Sequence, residues 1–578
     1  MKKRIIIILI VLVTVLSTAL LYQTFATDSS TLSESSDVYN ISLYNGSTIV
    51  VPANGTKTVL YKINSPNFGK VSYGVGYTTS SSYIKVKEYY DTIDPMTGVI
   101  DYRENKFVKL KLINSGNSDA SVTLNTVLGY EFGGDLIPSS NVTLVTEKVK
   151  EYDTLMSVTS SQTATSTFLR SSLKREEIDS ITFKENNAVP DNVTSVDVSK
   201  DSDGSIIMYY GDANSNGRYD VYIGSETGKI KLESGYYLFS YLQYVESLDL
   251  SIFNTSSVTN MDLMFRYAGY NATTFTLYGL DNWDTSSVTN MEAMFQYAGY
   301  NATTFTLEGL DNWDTSSVTE MTSMFSYTGQ RATTWTIGDL SGWDTSSVTR
   351  MVSMFGHAGY YATTWTIGDL SNWDTSSVTN MSGMFSYTGG RATTWTIGDL
   401  SGWDTSSVTN MGNMFTSAGY YATTWTIGDL SGWDTSSVTG MDSMFYNAGY
   451  NATTWTIGDL SGWDTSSVTG MYGMFYSAGY NATTWTIGYL SGWDTSSVTN
   501  MGYMFYSAGY NATTWTIGDL SGWDTSSVTN MGSMFYNAGY KASGWKLNLR
   551  SWNVNKVTNH SNFNTNVTTK VTPPIWVS

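Results

Sequence analysis

The chain has 578 residues and is acidic, with 50 Asp and Glu against 31 Lys and Arg and a formal net charge of −19. That balance argues against a nucleic-acid backbone or an anionic membrane surface as partner, because like charges repel. Cysteine is absent and histidine occurs only at His357 and His560, so disulfides, thiol catalysis and cysteine metal sites are excluded and a histidine-based catalytic cluster has almost no material.

The N-terminus, residues 1–28, reads as an export signal. Lys2, Lys3 and Arg4 precede the apolar run "IIIILIVLVTVLSTALL", and "TFA" at 24–26 supplies small residues for cleavage. A retained N-terminal anchor is the alternative, since the run is just short of the roughly 20 residues of a membrane span. Membrane contact is expected only through this segment.

Residues 29–150 are predicted to be all-β. Alternating runs such as "KTVLYKI" and "ASVTLNTVL" are separated by turn-forming "PANG" and "NSGNSD", the pattern of a β-sandwich. Residues 151–166, rich in Ser and Thr, are expected to form a linker. Residues 167–245 read as an α+β capping segment, with a charged helix over "LRSSLKREEIDS" and a hairpin around "DANSNGRYD". In that hairpin Asp212, Asn214, Asn216, Gly217 and Asp220 match the opening positions of a calcium loop. The twelfth position, which should be Glu, is Ile223, and an Asn-Gly hairpin turn accounts for the same residues. Calcium is therefore the one cofactor the sequence raises, as an alternative to that turn.

From 246 to 552 the sequence repeats every 30 residues. Phe253 is followed at that interval by Trp283, Trp313 and so on to Trp523, then by Trp552, giving ten units. Each unit holds "VTNMxxMFxxAG". In the first, Met261, Met264, Phe265 and Ala268 fall at i, i+3, i+4 and i+7, predicting a short helix with Thr259 as N-cap and Gly269 as stop. Each also holds a strand. Ala452, Trp455, Ile457 and Leu460 have leucine-rich-repeat spacing, with Leu where that repeat usually carries Asn, and alternation with Thr454 and Thr456 predicts aromatics inward and hydroxyls outward. The fold expected is mainly β with short helices: a leucine-rich-repeat-like solenoid of about ten 30-residue coils, preceded by the sandwich and the α+β cap. Residues 553–578 are read as the C-terminal cap.

The sentence "WDTSSVTNMxxMF", with "LDLSIFNTSSVTNMDLMF" at 248–265, resembles the BspA-like leucine-rich-repeat bacterial surface proteins. The likeness extends upstream to "LRSSLKREEIDSITF" and covers about residues 167–552; the units here are longer, the extra residues lying in "AGYNATTWTIG". The resemblance implies an exported, surface-displayed solenoid that acts as an adhesin or interaction scaffold for an extracellular protein or glycan, without enzymatic activity. Units 253–551 carry 22 acidic and 7 basic side chains, a net −15. The aspartate of each "WDTSS", such as Asp284 or Asp464, is expected to cap a turn; stacked aspartates gathering calcium are the alternative. Because every acid is repeated, a unique catalytic pair is not expected. A mechanical stalk without a specific ligand is a second functional reading. Ice binding through "TWT" is a remote one, disfavoured by the inward Trp and the lack of a second regular Thr row.

Overall fold

The structure is a computed structural model that describes residues 48–51, 56–62, 70–90, 100–101, 107–114, 118, 120–131 and 152–577. The chain divides into two compact units, residues 1–151 and 152–578. The expected export signal lies outside the described residues.

Among the described residues of the first unit seven strands form two antiparallel sheets. They are β1 (Thr48–Val51), β2 (Thr56–Lys62), β3 (Lys70–Thr79), β4 (Ile84–Tyr90), β5 (Ile100–Asp101), β6 (Phe107–Asn114) and β7 (Ala120–Glu131). One sheet has the order β1-β7-β3-β5 and the other β2-β6-β4. Every pairing is antiparallel, as expected where short turns connect alternating strands.

The second unit begins earlier than its sequence suggests. Residues 152–166, expected as linker, are its first element: β8 (Asp153–Thr154) pairs in parallel with β13 (Ile230–Lys231), and Leu155 is buried. The cause is Asp153, whose buried carboxylate accepts hydrogen bonds from Ser225 Oγ and the Thr227 amide at 2.7 and 2.8 Å. The charged helix is a second correction. Only a 3₁₀ turn, Arg175–Glu177, forms there before β9 (Ile178–Lys184). Arg175 is fully buried and its Nη1 donates to the carbonyls of Tyr237, Leu238 and Ser240 at 3.1, 3.1 and 2.8 Å, which fixes the backbone where a helix would have left the side chain in water. β9 joins β10 (Thr194–Asp197), β11 (Ile206–Gly211) and β12 (Tyr219–Ser225) in the order β10-β11-β12-β9.

The 30-residue repeats stack as coils. β14 (Ser247–Asp249) pairs in parallel with β16 (Thr274–Tyr278), then β17 (Thr304–Leu307) and β18 (Thr334–Thr336), always residue i to i+30 between full repeats. β15 (Phe253–Asn254) pairs instead with β13, so the stack runs on into the cap. The same register continues in β19 (Thr394–Thr396), β20 (Thr424–Thr426), β21 (Thr454–Thr456), β22 (Thr484–Thr486) and β23 (Thr514–Thr516). Isolated bridges from Asn260 to Asn559 join the opposite side of each coil. At the far end β24 (Leu547–Asn548) pairs with β25 (Val571–Thr572), and Lys570 Nζ donates to the carbonyls of Gly539, Tyr540 and Ala542.

The core is columns of identical side chains. The "WD" tryptophans, Trp283 to Trp523, and Trp552 after them stack with ring centroids 5.9–6.5 Å apart, and the "TWT" tryptophans from Trp335 to Trp515 at 5.4–5.9 Å. Both columns are buried, with the threonines on either side of each "TWT" tryptophan exposed or half-buried, which matches the alternation read from sequence. Glycine is required beside them. Gly449 has φ +53°, and a Cβ there would lie 2.8 Å from Trp455 and 2.9 Å from Trp425.

The predicted "MxxMF" helix does not form, although its inward stripe does: Met261, Met264, Phe265 and Ala268 are fully buried. The amides of Met261, Leu263, Phe265 and Tyr267 donate to the next coil, at Asn290, Glu292, Met294 and Gln296, while those of Met264, Arg266 and Ala268 turn back three residues. Leu263 and Tyr267 take φ of 60° to make this alternation. A helix would bond only to itself; these turns bond coil to coil. The short helices present are 3₁₀ turns such as Leu430–Gly432.

Coils are tied in both directions. Trp433 Nε1 donates back to the Leu400 carbonyl at 2.9 Å, and buried Thr435 Oγ1 donates forward to the Asp464 carbonyl at 2.8 Å, a pair that recurs along the stack. The aspartates cap, as expected. Asp464 accepts from the Ser466 amide, and Asp284 from both the amide and hydroxyl of Ser286. A second column, Asp369 to Asp459, caps the 3₁₀ turns through the amides of Ser371 to Ser461; Tyr489 occupies that position in its coil and makes no such bond.

Candidate functional site

The hairpin singled out by sequence joins β11 to β12 through residues 212–218, with Gly211 opposite Asp220, so it is a long loop and not a two-residue Asn-Gly turn. Its oxygens serve its own backbone. Asp212 accepts from the amides of Asn216 and Gly217 at 3.1 and 3.0 Å, and Asn214 Oδ1 accepts from the Asn216 amide at 3.1 Å. Asn216 accepts from the Arg218 amide and donates to Asp179, which also takes Arg218 Nε at 2.7 Å. Asp220 faces elsewhere, accepting from Ser180 Oγ at 2.6 Å. Thus Asp212, Asn214 and Asn216 are gathered and Asp220 is not. Among the described residues no group of three or more His, Asp or Glu is placed to hold a metal ion.

A cleft of about 780 Å³ lies between β9 and the first coils, lined in part by Ser180, Lys229, Asp249 and Asp284. Its two aspartates already accept from their own turns, at the amides of Ser251 and Ser286. They brace the wall of the cleft.

The repeated surface offers two strips. The first is the outer face of the "TWT" sheet, where two threonine rows, exemplified by Thr394, Thr424 and Thr454 and by Thr396, Thr426 and Thr456, lie in parallel register and exposed. The expectation of a single regular row is therefore corrected. Both outward positions of the strand repeat, because the only inward residue between them is the tryptophan. A third row beside them ties its hydroxyls to the preceding coil: Thr333 Oγ1 donates to the Thr303 carbonyl at 3.2 Å. Thr424 and Thr426 make no side-chain hydrogen bond to the described residues, so their hydroxyls are available to a partner.

The second strip is tyrosine. Tyr420, Tyr450, Tyr480, Tyr510 and Tyr540 stack with centroids 4.6–5.0 Å apart. Beside them Tyr446, Tyr476, Tyr506 and Tyr536 stack at 4.2–4.7 Å. In the earlier coils the second column shifts by one residue, through Tyr267, Tyr297, Tyr327, His357 and Tyr387. Sequence reasoning missed this second column; the recurrence of Tyr446, Tyr476, Tyr506 and Tyr536 at 30-residue spacing is the signal that marks it. Stacking covers the ring faces and leaves these partly exposed side chains their edges toward solvent. Burial, then the neighbouring phenols Tyr420 and Tyr480, push the Tyr450 pKa up to about 12.

A stacked-coil repeat protein is the class these features define. The family described as "Mycoplasma protein of unknown function, DUF285" matches residues 233–362, 268–387, 358–486 and 449–573. Those overlapping matches span more than half of the chain, which belongs to this family. No curated protein and no solved structure matches it.

Proposed function

We propose that the chain is an exported cell-surface protein of the BspA-like leucine-rich-repeat kind, whose solenoid acts as an adhesin or interaction scaffold and carries no catalytic activity. The observation that supports this most directly is the pair of hydroxyl-bearing strips, repeated in register over successive coils. Each Thr or Tyr contact is weak, and many in register add. Because the tyrosine faces are covered by one another, the partner is read through hydrogen bonds to hydroxyls and not through sugar rings laid on aromatic planes. The net −15 of the repeats favours neutral or basic extracellular proteins and neutral glycans over sulfated glycans and nucleic acid. The antiparallel sheets of the first unit fit a β-sandwich domain.

The test is a binding screen of the purified chain against immobilised extracellular-matrix proteins, glycans and whole cells, with a salt titration. Saturable binding lost on replacing Thr394, Thr424 and Thr454 by Lys supports the proposal; absence of binding throughout refutes it. A stalk is the second reading, favoured by the two-way hydrogen bonding between coils. It requires that cells lacking the protein show altered envelope thickness or protease sensitivity without any loss of adhesion.

A further inference from the structure

The chain has 42 tyrosines and no cysteine, so covalent reinforcement of its coils cannot come from disulfides. The tyrosine columns supply another chemistry. Tyr446 and Tyr476 lie with centroids 4.2 Å apart and planes 9° from parallel; Tyr476 and Tyr506 at 4.5 Å and 2°; Tyr506 and Tyr536 at 4.7 Å and 6°. Each pair belongs to adjacent coils held by backbone hydrogen bonds at that same position: the Asn447 and Ser477 amides donate to the carbonyls of Tyr476 and Tyr506, both at 2.7 Å. The rings are half-buried, so their outer edges meet solvent.

We propose that these columns are sites of oxidative tyrosine cross-linking, in which a one-electron oxidant of the peroxidase class, working with hydrogen peroxide, joins neighbouring coils through dityrosine. Each of two adjacent phenols loses one electron and one proton. The two phenoxyl radicals then form a carbon–carbon bond between ring positions ortho to the hydroxyls, and each coupled ring loses its ortho proton as it regains aromaticity while the phenoxyl oxygens are reprotonated. One hydrogen peroxide is reduced to two waters per bond, and the protein loses two hydrogen atoms. Radical pairing is ordinarily limited by encounter. Here the stack holds the partners together, converting a bimolecular step into one within the fold. A bond between residues 30 apart then limits the unfolded chain as a disulfide would. The buried methionines, such as Met444 and Met474, sit behind the wall and out of reach of the same oxidant.

The experiment treats the dilute full-length protein with peroxidase and hydrogen peroxide, natively and in unfolding urea. Dityrosine fluorescence, intact mass and peptide mapping are then read. The expected result is a loss of two hydrogens per cross-link without dimer formation, with mapped links joining Tyr446 to Tyr476 or Tyr506 to Tyr536, and those links lost in urea. The variant Tyr476→Phe with Tyr506→Phe keeps stacked rings but removes both central phenols, and its map should lose every link in this column while retaining those of Tyr450 and Tyr480. Native links that are only intermolecular, or that match those of the urea-unfolded chain in residue pairing, overturn the proposal. The wild-type comparison stands even where the double variant fails to fold.

Discussion

Replacing Trp425 and Trp365 by phenylalanine, one at a time, isolates the energy of a single N–H. Both indoles sit between two other tryptophans of the same column, and both have alanine seven residues before them. They differ in one respect: Trp365 Nε1 donates to the Ala358 carbonyl at 3.0 Å, whereas Trp425 Nε1 is buried without a partner among the described residues. Phenylalanine already occupies the column at Phe275 and Phe305, so the substitution is sterically native. The smaller ring costs both variants a similar cavity term of about 1–2 kcal/mol. The W365F variant also loses a hydrogen bond worth about 1 kcal/mol, while W425F recovers a desolvation penalty of about 1–3 kcal/mol. W365F should therefore be less stable than W425F by at least about 2 kcal/mol, roughly a 30-fold difference in opening equilibrium. Native-state hydrogen exchange at the flanking amides is the suitable assay, because coils open with their neighbours and a single global transition is not assured. Equal protection in the two variants would refute the reasoning.

His357 stacks between Tyr327 and Tyr387 at 4.2 and 4.5 Å, and burial lowers its pKa to about 4. A folded pKa below the unfolded value of about 6.5 means stability present above that value and lost as pH falls toward 4, about 2 kcal/mol of it by pH 5. H357Y, which restores the residue of the neighbouring coils, should remove that loss in urea titrations at pH 7 and pH 5. The Ser466 hydroxyl and amide hold the Asp464 carboxyl below its ordinary pKa, and Asp344, Asp374 and Asp404 are held likewise. These depressed values add stability that disappears as pH drops below about 4, and D464A should flatten that acid limb in a thermal-melt series. Y489D should create the cap that Asp459 provides one coil earlier, adding about 0.5–1 kcal/mol, while D429A should cost about the same; urea melts read both. T435V keeps the shape but orphans the Asp464 carbonyl, and local exchange protection should fall by about 1–2 kcal/mol.

How much of this was legible depended on where each backbone hydrogen bond goes. The period of 30, the inward Trp, Met and Phe, and the capping aspartates follow from side-chain type and spacing, and all lie where sequence placed them. The "MxxMF" stripe reports only which side chains face inward. It does not report that alternate amides bond to a residue 29 positions away, or that Leu263 and Tyr267 accept positive φ without being glycine. Similarly, Arg175 reads as a helix-surface charge until three carbonyls from residues 237–240 are seen around it. The tyrosine columns were in principle countable, but their shift by one residue between early and late coils breaks the simple repeat.

Every interior coil gives one indole bond backward and one threonine bond forward, and receives one of each, so in these two bonds any interior coil matches any other. Removing part of a coil leaves mismatched donors and acceptors on both sides. Adding or removing one complete 30-residue unit leaves none. Recombination between such similar units would therefore produce chains of different reach that fold between the same two ends, so that length changes while the bonds between coils are kept.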